Sequence, residues 1–324
     1  MKTFLASLAA AALGSYIDMA GAEEAFVEHI YKYGLEYASA HEYLFRLDVF
    51  TQNYAKVLHH NIEHASEDGF SMTLNKFATM TTDEFDQMKG YRVENHVASN
   101  IRHLLPTNSD SINWVEAGAV TDVKNQATCG SCWSFSTTGS LEGAHQIATG
   151  ELISLSEQQF VDCSKSYGNL GCMGGLMDSA FDYAKDVAID LESDYPYQGW
   201  SFGGCKLAVE GVVKAASYSD VPANDPAQLE AYLAKGPVSI AIDASGVQFQ
   251  LYKTGIITQA SCGTNLDHGV LLVGMGEEDG TKYWLVKNSW DSTWGENGYF
   301  RLERTDAKDA GTCGLQSQAS QVYV

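Results

Sequence analysis

The distribution of apolar residues along the chain separates a helix-rich stretch from a strand-rich stretch. Apolar or small residues follow Cys132 and stop at Gly150, which predicts a helix. Two further helices are predicted over residues 156–163, opened by a Ser-x-x-Gln cap pattern, and over residues 176–187. Short apolar runs that are typical of strands follow at 238–242, 270–273, 283–287 and 298–302. The pattern predicts an α+β chain with a helical half, about residues 114–210, and a β half, about residues 211–310.

An earlier helix is predicted to carry an unusual face. Six residues recur at intervals of four, four, three, four and four: Glu42, Arg46, Phe50, Asn53, Val57 and Asn61. This spacing aligns their side chains along one face of a helix over residues 42–61. An ordinary amphipathic helix is the alternative, but polar and charged residues within an apolar stripe are unusual for one.

The first 22 residues have the pattern of a secretory signal peptide. Lys2 supplies a positive charge, residues 4–13 form a short apolar core, and small residues follow through Ala22. Cleavage near Gly14 fits almost as well, and an amphipathic helix is the alternative. The apolar run is too short to span a bilayer and no later run is long enough, so no membrane partner is expected.

A polar stretch with one proline, residues 104–111, marks the main boundary of the chain. Such a linker is expected to be exposed and open to proteolytic cleavage. The predicted organisation is a signal peptide (1–22), an N-terminal segment (23–105) and a C-terminal region (106–324).

Charge and cysteine content narrow the class of protein. The net charge of −21 argues against nucleic-acid partners and against a basic membrane-binding face, and it suits an acidic compartment. All seven cysteines follow Pro106, so six can pair in an oxidising compartment while one remains free. Fifteen pairings of six cysteines are possible. A zinc site at Cys129 and Cys132 is an alternative, but no second close pair of cysteines or histidines supports it.

The free cysteine has a candidate position and a candidate base. Cys132 opens a predicted helix, where the positive end of the helix dipole favours a thiolate. Seven of the nine histidines precede Pro106, and His145 lies about 20 Å further along the same helix as Cys132. His268 therefore remains as the base, and Asn288, shielded by Trp290, can orient its ring. The nucleophile comes from the helical half and the base from the β half, so the active site is expected in a cleft between them.

These residues resemble those of the papain-like cysteine proteases, and within that family those of cathepsin L-type precursors. The similar stretches are residues 126–135, 171–177, 267–269, 288–290 and 294–299. The resemblance implies a papain-like fold of two domains, one helical and one resembling a β-barrel, preceded by a helical inhibitory propeptide. It implies a monomeric endopeptidase zymogen that acts on proteins and peptides without cofactor or metal, in a lysosome or digestive vacuole or after secretion.

The resemblance also assigns roles to single residues. Cys132 is implied to be the nucleophile, His268 its base and acid, and Asn288 the residue that orients His268. Gln126 is implied to stabilise the oxyanion together with the backbone N–H of Cys132. The implied disulfides are Cys129–Cys172, Cys163–Cys205 and Cys262–Cys313.

A substrate site follows from the same comparison. Its implied members are Gly174, Gly175, Leu176, Met177, Ala241, Leu266, Asp267, Trp290 and Gln318. The two glycines leave room for a peptide backbone to pair as a strand. Leu176, Met177, Ala241 and Leu266 imply an apolar or aromatic preference at the second residue before the cleaved bond. Gln318 matches the pocket floor, where it would shorten the pocket and broaden acceptance toward polar side chains; the alternative is that it points away.

The N-terminal segment departs from the family pattern near its second motif, residues 75–81. The helix over residues 42–61 resembles the ERFNIN helix of cathepsin L-type propeptides, with Val57 in place of the usual Ile. Near the second motif, Thr73 replaces a common Gly and Thr79 replaces an expected Asp. The missing carboxylate at Thr79 puts acid-triggered release by the usual route in doubt. Histidines of the segment are an alternative pH switch, although surface solvation alone would also explain them. A non-catalytic binding protein is an alternative that the intact Cys132, His268 and Gln126 disfavour. A free inhibitor is disfavoured by the attached catalytic region, and a storage protein would need neither the unpaired cysteine nor the matching histidine.

Overall fold

The computed structural model describes residues 21–92, 96, 98–207 and 210–324. The predicted signal peptide therefore lies outside the described residues except for its last two positions, Gly21 and Ala22, which belong to a helix. Within the described ranges, no helix combines the length and the apolar character that crossing a membrane requires.

Nine α-helices are assigned in the described part of the chain. They are α1 (21–33), α2 (Ala40–Glu63), α3 (Ala65–Asp68), α4 (Thr82–Asp86), α5 (Cys132–Thr149), α6 (Glu157–Cys163), α7 (Met177–Asp186), α8 (Pro226–Leu233) and α9 (Val247–Gln250). The helices predicted from residues 132, 156 and 176 correspond to α5, α6 and α7. Ser156 caps α6 by accepting a hydrogen bond from the Gln159 N–H, as the Ser-x-x-Gln pattern predicts.

The described strands form one sheet. They are β1 (Phe70–Met72), β2 (Ile112–Asn113), β3 (Ser217–Asp220), β4 (Val238–Ile242), β5 (Tyr252–Ile257), β6 (His268–Glu278), β7 (Thr281–Lys287), β8 (Tyr299–Glu303) and β9 (Ala319–Tyr323). Their order is β1-β5-β8-β7-β6-β4-β9-β3, and β2 pairs with β6. Most pairs are antiparallel; β5 and β8 run parallel.

The β half extends beyond its predicted end at residue 310. Strand β9 lies between β4 and β3 near the C-terminus of the chain, and its central residues are buried. Its polar side chains hide it from a hydropathy pattern. Gln321 is buried because its Nε2 donates to the carbonyls of Tyr232 and Gly236, at 3.0 and 2.8 Å.

Hydrogen bonds to residues 72–84 account for the polar face of helix α2. Asn53 Nδ2 donates to the Ala78 carbonyl at 2.9 Å, and Asn61 exchanges two hydrogen bonds with the backbone of Met72. Arg46 forms a two-pronged ion pair with Glu84 and also donates to the Thr79 carbonyl. The repeated polar residues thus hold the following loop against the helix, which an ordinary amphipathic helix does not require.

Helix α5 runs through the centre of the C-terminal region and is buried from Cys132 to Gly143. Its small residues allow neighbouring elements to approach closely. A Cβ on Gly139 would lie 2.6 Å from Leu271 of β6, and one on Gly143 would lie 2.7 Å from Pro237. The helix ends at Gly150, whose φ of 81° suits a left-handed C-cap. This packing places the first turn of α5 beside the first residues of β6.

Two large hydrophobic cores divide the molecule. One lies in the helical half around α5, α6 and α7. The other lies in the β half, and it includes side chains of the N-terminal segment such as Phe26, Phe50 and Phe85. Strand β1 of that segment also pairs with β5. The N-terminal segment is therefore built into the β half of the fold.

Candidate active site

Cys132 is the first residue of α5, and its thiol is fully buried. The other six cysteines form the disulfides Cys129–Cys172, Cys163–Cys205 and Cys262–Cys313, which leaves Cys132 as the free one. The zinc alternative for Cys129 and Cys132 is wrong because Cys129 is bonded to another sulfur. Two backbone N–H groups, those of Gly90 and Gly269, lie 3.3 Å from Cys132 Sγ.

The expectation of a thiolate at Cys132 does not hold for this form of the chain. Burial raises the pKa of Cys132 to about 11, although the hydrogen bonds from Gly269 and Gly90 act in the opposite direction. Loss of solvent thus outweighs the favourable position at the start of a helix. The thiol is neutral as long as the N-terminal segment covers it.

His268 opens β6 and is held by the residues that the sequence indicates. Its Nε2 lies 2.9 Å from Asn288 Oδ1, and its ring stacks on Trp290 at 4.6 Å between centroids. Because Asn288 Oδ1 is an acceptor, Nε2 carries the proton and Nδ1 is left as the basic nitrogen. Among the described residues no group hydrogen-bonds Nδ1. Burial lowers the pKa of His268 to about 3, so the ring is neutral here.

Gln126 lies in the same buried site with its amide fixed in one orientation. Ser289 Oγ donates to Gln126 Oε1 at 2.6 Å, which directs Nε2 to the other side. That Nε2 donates to the carbonyl oxygens of Met88 and Cys129, at 2.6 and 2.8 Å. The resemblance assigns the Gln126 amide to stabilisation of the oxyanion. In this structure that amide donates instead to the Met88 carbonyl of the N-terminal segment.

Residues 88–92, which we call the strap, cross this site directly after the turn that ends α4. Gly90 O accepts from Gly175 N at 2.8 Å, and Arg92 N donates to Gly175 O at 3.3 Å. Tyr91 N donates to Asp267 O at 3.0 Å, and Tyr91 forms a parallel bridge with Gly175. Gly175, expected to pair with a substrate backbone, pairs here with the strap.

Glycine is required where the two backbones meet. A Cβ on Gly174 would lie 2.7 Å from Gly90 O, and its φ of +110° already disfavours other residues. A Cβ on Gly175 would lie 2.8 Å from the Trp133 ring. On the strap itself, a Cβ on Gly90 would lie 1.9 Å from Gly130 O.

Tyr91 fills the apolar pocket that the sequence indicates. It belongs to the same buried cluster as Leu176, Met177, Ala241 and Leu266. Its hydroxyl donates a short hydrogen bond to Gln318 Oε1. Gln318 therefore points into the pocket, and the alternative in which it points away is wrong.

Asp267 and Trp290 contact the N-terminal segment by different means. Asp267 Oδ2 lies 2.7 Å from Lys89 Nζ, and its other oxygen accepts from the Ala244 N–H at 2.8 Å. Trp290 is fully buried, and the rings of Phe85 and Phe77 meet it edge-on at 5.0 and 5.8 Å. Removing the segment would expose both residues along the rim of the cleft.

Sequence reasoning missed the strap and Ser289. The strap has no hydrophobic period, and most of its contacts are backbone hydrogen bonds that many sequences can form. Only Gly90 and Tyr91 carried a signal, because a glycine followed by an aromatic residue sits just beyond the last helical turn before the linker. Ser289 lies between Asn288 and Trp290 and supports Gln126 rather than His268.

Comparison with known families identifies two regions of the chain. Residues 107–323 match the family model of papain family cysteine proteases. Residues 26–85 match the model of the cathepsin propeptide inhibitor domain. Together the two models cover nearly all of the C-terminal region, and in the N-terminal segment they cover α2, α3 and most of α4.

Individual cysteine proteases are also similar to this chain. The probable cysteine protease RD21B of Arabidopsis thaliana is 43% identical over 286 residues, 85% of this chain and 60% of its own length. Cysteine proteinase COT44 of Brassica napus is 43% identical over 85% of this chain and 87% of its own. This chain thus spans less than two thirds of the Arabidopsis relative.

Solved structures agree along nearly the whole chain. The digestive procathepsin L 3 of Tenebrio molitor larval midgut is 37% identical, with a TM-score of 0.85 over 94% of this chain and 99% of its own. A recombinant stem bromelain precursor is 32% identical, with a TM-score of 0.85 over the same shares.

Proposed function

Because this chain belongs to the papain family of cysteine proteases, we propose that it is a cysteine endopeptidase synthesised as a latent precursor. Residues 23–105 act as its propeptide, and residues 106–324 act as the peptidase after the linker is cleaved. The observation that supports this proposal is a set of contacts beneath the strap. Cys132 Sγ lies 3.3 Å from the N–H of Gly269, next to His268, and Ser289, next to Asn288, hydrogen-bonds Gln126. The strap contacts both Cys132 Sγ and Gln126 Nε2.

Latency follows from what the strap contacts. It places the Gly90 N–H on the nucleophilic sulfur, the Met88 carbonyl on Gln126 Nε2 and the Tyr91 ring in the apolar pocket. The strap pairs with Gly175 as a parallel β-bridge, and its Tyr91 N–H donates a hydrogen bond to the Asp267 carbonyl. A substrate can reach none of these groups until residues 88–92 leave.

Removal of the strap returns water to the cleft and changes both protonation states. Solvation lowers the pKa of Cys132 and raises that of His268, because both values are displaced mainly by burial. The proton then moves from the thiol to His268 Nδ1. The start of α5 and the neighbouring imidazolium stabilise the resulting thiolate.

Catalysis proceeds by acyl transfer. The Cys132 thiolate attacks the peptide carbonyl, and the oxyanion binds the Gln126 amide and the Cys132 backbone N–H. His268 Nδ1 gives its proton to the leaving amine and then accepts one from the water that hydrolyses the acyl-enzyme. Asn288 keeps Nε2 protonated and the ring in place, while Ser289 holds Gln126 with its N–H group toward the oxyanion.

The test is hydrolysis of a Phe-Arg aminomethylcoumarin peptide at about pH 5 after acid processing. Wild type is expected to be active only with reducing agent. Cys132→Ala and His268→Ala are expected to lose at least about 10⁴-fold in kcat/KM, as loss of a nucleophile or base does. No activity from a correctly processed wild type would contradict the proposal.

The pocket around Tyr91 supports a substrate preference at the second residue before the cleaved bond. Its walls favour aromatic and apolar side chains, and Gln318 offers an amide to a polar group at the end of that side chain. We expect Tyr to be accepted as well as Phe, since Tyr91 itself occupies the pocket. In Gln318→Ala the ratio of kcat/KM for Tyr over Phe should fall about 5- to 10-fold, the size of one lost hydrogen bond. Ser317→Ala serves as the neighbouring control, and an unchanged ratio in Gln318→Ala would refute the role of Gln318.

A further inference from the structure

A second cluster of ionisable residues joins the N-terminal segment to the catalytic region, away from Cys132. His96 lies beyond the strap, Asp178 lies in the first turn of α7, and Asp220 ends β3. One ligand atom from each of the three residues lies within 4.8 Å of the other two. His96 Nε2 and Asp178 Oδ2 are 3.0 Å apart.

The cluster holds more negative charge than its neighbours balance. Asp220 is 1% exposed. Its Oδ2 accepts from the N–H groups of Ser99 and Asn100, at 2.7 and 2.9 Å, but its Oδ1 has no hydrogen-bond partner among the described residues. In that same part of the chain, neither aspartate forms an ion pair with a lysine or arginine. Two carboxylates therefore face one imidazole, and a buried carboxylate oxygen without a partner is unfavourable.

We propose that His96, Asp178 and Asp220 form a site for a divalent cation of the zinc class. An imidazole nitrogen with two carboxylate oxygens suits Zn²⁺ or a similar transition metal better than Ca²⁺ or Mg²⁺, which prefer oxygen ligands alone. A tetrahedral zinc ion with bonds of about 2.0–2.2 Å holds its ligand atoms roughly 3.3–3.5 Å apart. The three ligand atoms, which lie within 4.8 Å of one another, would have to approach to that separation, and water would complete the coordination.

The site would act on latency because its ligands come from both sides of the cleavable linker. His96 is in the N-terminal segment and follows Tyr91 by five residues, whereas Asp178 follows the pocket residue Met177 directly. A cation bound to all three would hold the chain beyond the strap against the helical half, to which the strap itself makes few apolar contacts. This role is independent of peptide hydrolysis. It departs from the sequence-based expectation of no metal, because the three ligands are far apart in the chain.

The experiment measures metal binding to the full-length precursor carrying Cys132→Ala, which has no free thiol and cannot process itself. After treatment with a chelator, at about pH 8, well above the pKa of an unperturbed imidazole, Zn²⁺ is titrated by calorimetry and Co²⁺ by its visible absorption. We expect one tight site and a melting temperature that rises with Zn²⁺ concentration. His96→Gln should weaken Zn²⁺ binding at least about 100-fold, since even outer-shell changes cost 10- to 100-fold.

The matched control is His103→Gln, which removes an exposed histidine of the same linker region and should keep the site. Asp178→Asn provides a second ligand variant at a partly solvated position, and circular dichroism of each variant establishes that it is folded. Equal Zn²⁺ affinity in His96→Gln and His103→Gln would overturn the proposal. The absence of Zn²⁺ binding to the folded Cys132→Ala precursor would also overturn it, because the three residues would then bind protons but no metal ion.

Discussion

The N-terminal segment contacts the two halves of the catalytic region in opposite ways. Its residues 21–86, which we call the anchor, share a hydrophobic core with the β half through Phe26, Phe50 and Phe85. The strap, residues 88–92, meets the helical half with one apolar side chain, Tyr91, with backbone hydrogen bonds, and with Arg92 Nε, which donates to the Met173 carbonyl at 2.9 Å. We therefore expect the anchor to supply most of the free energy that binds the N-terminal segment to the C-terminal region. The strap is the part that covers Cys132.

The polar contacts follow the same division. Gln250 of α9 donates to the carbonyls of Phe77 and Met80 in the anchor, both at 2.9 Å, and Asn75 donates to the Gln250 carbonyl at 2.8 Å. In the strap, Lys89 Nζ forms ion pairs with Asp267 and with Asp86, both at 2.7 Å. A strap held this lightly can leave as soon as the anchor loosens, so latency should depend on anchor stability.

The largest expected loss of latency comes from truncating a side chain in the hydrophobic core of the anchor. Phe85→Ala removes a fully buried ring that contacts both Phe77 and Trp290. Such a truncation costs about 3–5 kcal/mol. We expect the precursor to become active near neutral pH without acid treatment, measured as the rate of fluorogenic peptide hydrolysis. Phe45→Ala, on the 44% exposed Phe45 of α2, is the control and should stay latent.

Acid should loosen the same anchor through His29. Its ring is 5% exposed, lies against Phe50 and Tyr33, and leaves Nε2 without a hydrogen-bond partner among the described residues. Burial lowers the pKa of His29 to about 4, from 6.5. The unfolded segment thus binds more protons than the folded one between these values, so stability present above about pH 6.5 is lost as pH falls toward 4. The loss is at most about 3 kcal/mol.

This effect is measured by hydrogen exchange of α1 and α2 amides in the Cys132→Ala precursor, from about pH 7 to 4.5. Exchange protection corrected for intrinsic rates should fall with pH in the His29 chain and much less in His29→Leu. His41→Leu, at an exposed position of α2, is the control that should behave as the parent chain. The same loss of protection in His29→Leu would rule out His29 as an acid switch in place of the carboxylate missing at Thr79.

A smaller change should separate the strap from the anchor. Gly90→Ala introduces a Cβ that would lie 1.9 Å from Gly130 O, so the strap must shift. Overpacking of this kind costs about 1–3 kcal/mol, and none of it falls on the anchor. We expect a precursor that keeps its melting temperature within a few degrees but cleaves small peptides near neutral pH. Gly203→Ala, where the nearest atom lies 3.6 Å away, is the control, and full latency of Gly90→Ala would contradict the division of roles.

The sequence predicted the parts of the molecule that repeat or that carry chemistry. Helical spacing located α2, and apolar runs located β4, β6, β7 and β8. The single unpaired cysteine and the position of His268 indicated a candidate nucleophile and base, and in the structure the N–H of Gly269, next to His268, lies 3.3 Å from Cys132 Sγ. The polar face of α2 was recognisable because Asn53 and Asn61 repeat with the helix period. Each donates a hydrogen bond to a backbone carbonyl that packing alone would leave without a partner.

The remaining features depend on long-range contacts that leave no local pattern. Strand β1 exists because β5 offers it a sheet edge, and β9 is buried through the hydrogen bonds of Gln321. The protonation state of Cys132 was predicted incorrectly for the latent chain, because the helix dipole was weighed without the burial that the strap imposes. His96, Asp178 and Asp220 come together only in the folded precursor.

The most direct test of the central claim is the alkylation rate of Cys132 by iodoacetamide, followed by mass spectrometry, in the intact precursor and in the acid-processed chain. With a pKa of about 11, only about one thiol in 10⁴ of the latent form is ionised near pH 7. The account predicts that processing accelerates alkylation at least about 100-fold near pH 7, and that His268→Ala removes most of that gain at lower pH. Equal rates before and after processing would contradict the claim that the strap keeps the nucleophile neutral and covered.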